Sequence, residues 1–268
     1  MTYPKVMIAT ATKYDEKYLE AFLNALSTLD YPKDRLRLVV MMGNAEDAKI
    51  FRQNVSARIC SQFDAFLEQR IWRPRGVSLK ADLYQDLVSC MKGEDYVLFI
   101  DSDVVSIPPN LLKQLITRNV DIIAPYVFNY HSKIFFDTYI FRKDGHKFSI
   151  NPPFQEEILE VDSVGTCLLV RSKVLKECRF ANPHHWLHFC YFAREKGYKV
   201  YADPTIRIEH ADISTEPLHL SFEAQVGSGY IDIKECIKRG VMNWEDIHRY
   251  EKIIGVTLIK DDKASMQL

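Results

Sequence analysis

Apolar and polar positions along the 268-residue chain alternate between two periods. Short unbroken apolar runs, "KVMIAT" (5–10), "RLRLVVMMG" (35–43), "DYVLFI" (95–100) and "VDIIAPYVF" (120–128), predict buried strands. Between them the spacing turns helical. In 15–29 the apolar positions are Tyr18, Leu19, Phe22, Leu23, Ala25, Leu26 and Leu29. In 79–93 they are Leu83, Leu87, Val88 and Met91, with Gly93 near the end. Residues 46–63 are a further candidate helix, and 109–118 a short one with Pro at its first turn. Strands alternating with helices imply parallel pairing, so the expected fold is α/β: a three-layer α/β/α sandwich around a mostly parallel sheet.

The pattern changes after about residue 130. "KIFFDTYIFRKDGHKFSI" predicts a hairpin around Lys143-Asp144-Gly145. "LEVDSVGTCLLVRSKVL" predicts two strands broken at Gly165-Thr166. A helix closed by Gly197 follows, then a strand, a turn at Asp203-Pro204 and a last strand to His210. Residues 213–268 read as a helical C-terminal appendage on a domain spanning 1–212.

Composition adds exclusions. Basic and acidic residues number 35 and 36, a net charge of -1, so nothing global advertises nucleic acid or an anionic membrane. The best local basic patch is "RIWRPRGVSLK" (70–80). Hydrophobic residues make up 47%, enough for a sizeable core. Cysteines stand at 60, 90, 167, 178, 190 and 236 with no CxxC pair, which reads as buried reduced thiols. The N-terminus lacks a charged region followed by a long apolar core, and no run reaches the roughly 18 apolar residues of a membrane span. The expectation is a soluble, cytoplasmic protein.

The candidate chemistry lies where "DYVLFI" ends in Asp101-Ser102-Asp103. Carboxylates beside a buried strand are costly unless compensated. Ligands of parallel α/β sheets bind beyond the carboxyl ends of strands, which is where this pair falls. Hard oxygen donors two residues apart suit Mg²⁺ or Mn²⁺ carrying a diphosphate. A capped loop leading to the helix at 109 is the plain alternative.

"GEDYVLFIDSDVVSIPPNLLKQL" resembles the strand, DxD motif and following helix of GT-A fold glycosyltransferases. "KVMIATATKYDEKYLEAFLNALSTLDYPKDRLRLVVMMGNAED" is similar to their opening strand, helix and second strand, and "VDSVGTCLLVRSKVL" to an acceptor-side segment. "FCYFAREKGYKVYADPTIRIEH" resembles their closing motif. Together these span about 5–210, and family 2 enzymes and Anp1-type mannosyltransferases are the nearest in pattern. The resemblance implies a donor half (about 1–128), an acceptor half (129–212) and a nucleotide-diphosphate-sugar donor. It places Thr10, Ala11 and Thr12 at the nucleoside, with Asp47 or Glu46 near the base or ribose. Asp101 would lie near the ribose and the metal's water shell, and Asp103 would bind the metal, Mn²⁺ or Mg²⁺. His210 would be the third contact to metal or phosphates. Lys80, or Arg75 before it, would face the diphosphate.

One position departs from that pattern. Inverting relatives place an acidic pair before the "FC" helix, and here His185 and Trp186 stand there, within "NPHHWLHFC". A histidine, His185 or His188, can serve as base beside the catalytic Asp103. Alternatively the enzyme is retaining, or a carboxylate comes from Asp162, Asp137 or Glu209. A zinc cluster of His184, His185 and His188 lacks a fourth ligand. Trp186, Tyr126, Phe128 and Tyr130 are candidates for stacking on sugar or base, or for the core. The acceptor, whether glycan, lipid, protein or modified nucleic acid, stays open. Two other classes compete: a sugar nucleotidyltransferase, against which "TATKYDE" offers no glycine-rich phosphate loop, and a non-catalytic carbohydrate- or nucleic-acid-binding module.

Overall fold

The structure, a computed structural model, describes residues 3–12, 16–42, 46, 48–49, 67–71, 80–131, 135–141, 147–149, 157–181, 185–211, 244–245 and 247–248. In chain order the elements are β1 (Val6–Thr12), α1 (Glu16–Ser27), β2 (Leu36–Met42), β3 (Leu67–Ile71), α2 (Lys80–Ser89), β4 (Tyr96–Ile100) and β5 (Val104–Ser106). There follow α3 (Leu111–Thr117), β6 (Ile122–Asn129), β7 (Phe135–Phe136), β8 (Thr138–Phe141), β9 (Lys147–Ser149), β10 (Leu159–Val161) and β11 (Ser163–Val164). The last are β12 (Cys167–Arg171), α4 (Ser172–Glu177), α5 (His185–Glu195) and β13 (Val200–His210).

The predicted apolar runs form the middle of one sheet, ordered β10-β13-β6-β12-β4-β1-β2-β3. Neighbours β4, β1, β2 and β3 run parallel, as do β6 and β13. β12 is antiparallel to both β4 and β6, so those two point the same way. The carboxyl ends of six strands therefore meet along one edge. β5 pairs with the end of β13, and β7 with the end of β6. A small second sheet is ordered β11-β8-β9.

Alternation along β1 creates the layers. Val6 and Ile8 pack with Phe22 and Leu26 of α1 and Leu111 and Leu115 of α3. Met7 and Ala9 point the other way, to Tyr84 and Leu87 of α2, Val174 of α4 and Phe189 of α5. Period two in the strand and about 3.6 in the helices thus give helices on both faces, the expected three-layer sandwich. Each fully buried Phe, such as Phe22 or Phe99, contributes about 1.5–3 kcal/mol.

Some elements differ from expectation. Residues 200–210 form one strand, not two joined by a turn. The register against β6 jumps from Asp203↔Pro125 to Arg207↔Tyr126. Pro204 has no N–H to give the ladder, so it sits at that irregularity. Asp203 stitches it: its Oδ1 accepts from the Thr205 amide (3.0 Å) and hydroxyl (2.6 Å), and its Oδ2 from Arg118 Nε (2.7 Å). Short elements β3, β5 and α4 were not anticipated. β8 and β9 pair as the hairpin requires, with Phe141↔Lys147 flanking its turn; residues 143–145 lie outside the described residues. So do most of 46–63, the basic patch at 72–79 and almost all of the 213–268 appendage.

Candidate metal and donor site

β4 delivers the acidic pair to the sheet edge. All five of its residues are buried, and the chain turns where the apolar run stops. The turn closes by the Val104 amide donating to Asp101 O (3.2 Å), and the Asp101 amide donates to Thr166 O across the edge (2.8 Å). β5 then runs antiparallel to β13, pairing Val104 with His210. The Ala211 amide donates to Asp103 O at 2.8 Å. The β5–β13 pairing therefore brings His210 beside Asp103, although 107 positions separate them (210 against 103).

Asp101, Asp103 and His210 each offer one ligand atom, and these atoms lie within 4.8 Å of one another. His210 Nε2 is 2.8 Å from Asp103 Oδ1, while Nδ1 lies 2.5 Å from Ala211 O. A carbonyl on Nδ1 fixes the ring and leaves Nε2 to face the carboxylates, the usual support of a ligating imidazole. Two carboxylates and one imidazole fit a divalent cation such as Mn²⁺.

The electrostatics describe a site seeking positive charge. Burial pushes the Asp101 carboxyl up to about 6, the neighbouring Asp103 and Asp137 add to this, and Lys80 and a hydrogen bond from Tyr84 oppose it. At Asp103 burial is the largest influence and again acts upward, but the His210 hydrogen bond and charge, a backbone hydrogen bond and Lys80 together hold the carboxyl below its usual range. At His210 burial lowers the value, but the hydrogen bond and charge of Asp103, the charge of Asp101 and the Ala211 carbonyl together hold the ring above its usual range.

The remaining predicted residues fall as follows. Thr10 and Thr12 are buried at the carboxyl end of β1 with Ala11 half-buried between them. Thr10 Oγ1 is buried without a hydrogen-bond partner. Lys80 is exposed at the first residue of α2, close enough for its charge to act on both aspartates. Glu46 is exposed, and Lys49 Nζ lies 3.9 Å from its carboxylate. Asp47, Arg75 and His184 lie outside the described residues. His185 opens α5 and stacks on Tyr84, with ring centroids 4.7 Å apart and 9° between planes. His188 is fully buried, its Nδ1 3.1 Å from Ala181 O. Trp186 packs among Tyr84, Phe99 and Phe180, and Tyr126 is fully buried, so both belong to the core. Arg207 lies over Phe128 at 5.3 Å, and Tyr130 is exposed.

Tyr84 was missed. Its hydroxyl donates to Asp101 Oδ1 (2.9 Å), and its ring joins the acidic turn to the His185 helix. The available signal was its place one helical turn after Lys80, on the face of α2 that meets the sheet edge.

Helices on both faces of this sheet, and an Asp-Asp-His cluster at its carboxyl edge, define a nucleotide-diphospho-sugar transferase type of fold. The fold is that of GT-A glycosyltransferases. The Anp1 family model matches residues 86–143, which contain both site aspartates. The chain is 29% identical over 185 residues to a glycosyltransferase 25 family member from Anopheles gambiae, covering 60% of this chain and 30% of that protein. It is 32% identical over 127 residues to procollagen-lysine,2-oxoglutarate 5-dioxygenase 2 from Mus musculus, covering 46% of this chain and 17% of that protein. The chain thus spans less than a third of the length of these relatives.

Solved structures agree on the fold. GalNAc-T7, crystallised with UDP, GalNAc and Mn²⁺, superposes with TM-score 0.60 at 9% identity, covering 95% of this chain and 59% of that one. S. aureus TarS 1-349 in complex with UDP-GlcNAc gives 0.58 at 16%, covering 81% and 61%. The mannosyltransferase PcManGT from Pyrobaculum calidifontis, in complex with GDP-Man and Mn²⁺, gives 0.55 at 14%, covering 96% and 71%. Among the described residues no helix is long and apolar enough to cross a membrane.

Proposed function

We propose that this chain is a metal-dependent glycosyltransferase that moves a sugar from a nucleotide-diphosphate donor to an acceptor hydroxyl. The observation that carries the reading is the Asp101, Asp103 and His210 cluster at the carboxyl edge of a GT-A sheet, its ligand atoms within 4.8 Å. A divalent ion held there would neutralise charge developing on the leaving diphosphate. An imidazole beside two carboxylates favours Mn²⁺ over Mg²⁺, which demands oxygen and water.

The chain's own residues divide the remaining work. Thr10, Ala11 and Thr12 end the first strand next to this edge and form the floor for the nucleoside; the unpaired Thr10 hydroxyl is a donor for it. Lys80 faces the diphosphate from the start of α2, its charge already acting on both aspartates. Tyr84 holds Asp101 in place. Asp47 fits the ribose by its place after β2 in the sequence. His185 stands at the edge of the site through its stack on Tyr84, and serves the acceptor side. His188 is left out of the catalytic set, because a fully enclosed ring has no path to a substrate. Cys90, Cys167, Cys178 and Cys190 are buried and in no disulfide, which supports a reducing, cytoplasmic setting.

Product analysis tests the reading. Incubation with UDP- and GDP-sugars and Mn²⁺ is expected to release free nucleoside diphosphate. Pyrophosphate release would point instead to nucleotidyl transfer, and binding without any turnover to a non-catalytic module.

A further inference from the structure

The acceptor side of the site contains an unusual pair of backbone conformations. Among the described residues, three non-glycine residues have positive φ, and two of them, Asp137 (φ 68) and Thr166 (φ 50), touch each other. Thr166 Oγ1 donates to Asp137 Oδ2, and the Gly165 amide donates to Asp137 O at 3.2 Å. Asp137 leads into β8, whose Thr138 pairs with Val164 of β11, so both partners are fixed by the same small sheet. L residues rarely adopt such conformations, and they persist where the surroundings impose them.

Gly165 shows how closely the carboxylate is held. A Cβ there would stand 2.5 Å from Asp137 Oδ2 and 2.7 Å from Oδ1. Only glycine leaves room for the carboxylate in this position. Thr166 meanwhile accepts the Asp101 amide at 2.8 Å. One residue thus links the Asp137 carboxylate to the backbone of the acidic turn. The charge of Asp137 is felt at both Asp101 and Tyr84, which places it at the same edge.

Three other candidates for the base are engaged elsewhere. Asp162 forms an ion pair with Arg194, His188 is enclosed in the core, and His185 lies flat on Tyr84. Glu209 lies within β13, paired with β5.

We propose that Asp137 is the general base of the transfer, with Gly165 and Thr166 as its positioning residues; this rests on the glycosyltransferase reading above. One Asp137 oxygen takes the proton of the acceptor hydroxyl. The acceptor oxygen forms the new bond to the anomeric carbon as that carbon's bond to the diphosphate oxygen breaks. The electron pair leaves on the nucleoside diphosphate, and this single displacement inverts the anomeric centre. The catalytic carboxylate thus comes from the β7–β8 junction, and the start of α5 need not supply one.

The test uses the full chain with Mn²⁺, UDP-GlcNAc and GDP-mannose as probes, and water as acceptor. A first arm measures UDP and GDP binding by thermal shift; a second measures nucleoside diphosphate release. Asp137→Asn keeps an acceptor for Thr166 and is expected to bind nucleotide like the parent. Its release rate should fall about 10²–10⁴-fold, the usual contribution of a positioned base. Gly165→Ala should do the same by displacing the carboxylate, and formate should restore part of the rate of Asp137→Ala. Release by Asp137→Asn within threefold of the parent overturns the assignment and leaves the glycosyltransferase reading standing. Binding by the parent without release also overturns it, because a base poised beside the donor would activate water. A parent that binds neither nucleotide sinks both.

Discussion

Replacing Asp101 by Asn separates the cost of the site to the fold from its use to a ligand. Burial lifts the Asp101 carboxyl from the ordinary 3.8 to about 6. The protonated form is therefore favoured by folding. The folded state binds more protons than the unfolded one between about pH 4 and 6, so stability falls as pH rises through that window and levels off above it. At pH 7.5 the ionised carboxylate costs the metal-free fold at most about 3 kcal/mol, and about 1–3 once solvent screening at the half-buried edge is allowed for. Asn still accepts the Tyr84 hydrogen bond, now 2.9 Å long, and keeps the amide bond to Thr166. Asp101→Asn should thus raise Tm in EDTA at pH 7.5 by about 2–12 °C, at about 2–4 °C per kcal/mol. The gain should fade as pH is lowered toward 4, and Mn²⁺ with UDP should no longer add stability. Scanning calorimetry at pH 4.5, 6 and 7.5, with and without Mn²⁺, measures all three effects. A variant no more stable than its parent at pH 7.5, or a gain independent of pH, would refute the claim that Asp101 is held against its charge.

Tyr84→Phe removes the 2.9 Å hydrogen bond and keeps the ring, so it should raise the Asp101 value further and move the onset of Mn²⁺ binding to higher pH, seen by titration calorimetry. A second buried pair is remote from the site. Arg37 Nε donates to Glu94 Oε1 at 2.6 Å, Arg37 also donates to Cys90 O (2.6 Å), and the Lys92 amide donates to Glu94 Oε2 (2.6 Å). Glu94→Gln leaves Arg37 buried opposite a neutral group and should cost about 3–5 kcal/mol in urea unfolding. Burial opposes the charge on Glu94, but the Arg37 hydrogen bond and charge, with the Lys92 and Glu94 backbone amides, together hold the carboxyl below its usual range. The stability from this pair is therefore complete above the ordinary glutamate value and lost as pH falls through the lowered one.

The strands that carry the site were legible because burial on both faces writes them as unbroken apolar runs; β4, with every residue buried, is the plainest. The acidic pair was legible for the same reason, since polarity returns abruptly at Asp101. β5 was not, because "VVS" is three residues long and owes its strand geometry to pairing with β13. Yet that pairing brings His210 to Asp103, so a register between distant segments decides the ligand geometry. Local turn chemistry at Asp203-Pro204 predicts a break there, but long-range pairing with β6 absorbs the irregularity within one strand. Tyr84 stayed hidden inside an ordinary amphipathic helix, since its contact with Asp101 exists only once α2 docks on the sheet edge. The histidines of "NPHHWLHFC" show the opposite limit. Their identity stood out, but only packing separates the stacked His185 from the enclosed His188.

The central claim is that Asp101, Asp103 and His210 hold a divalent ion for a nucleoside diphosphate. Titration of UDP and GDP into the chain with Mn²⁺, with EDTA, and into Asp103→Ala with Mn²⁺ tests it most directly. Binding of at least one nucleotide is expected with Mn²⁺, with at least a tenfold loss, about 1.4 kcal/mol or more, in EDTA or in Asp103→Ala. Equal affinity in all three, or no binding of either nucleotide in Mn²⁺, would contradict it.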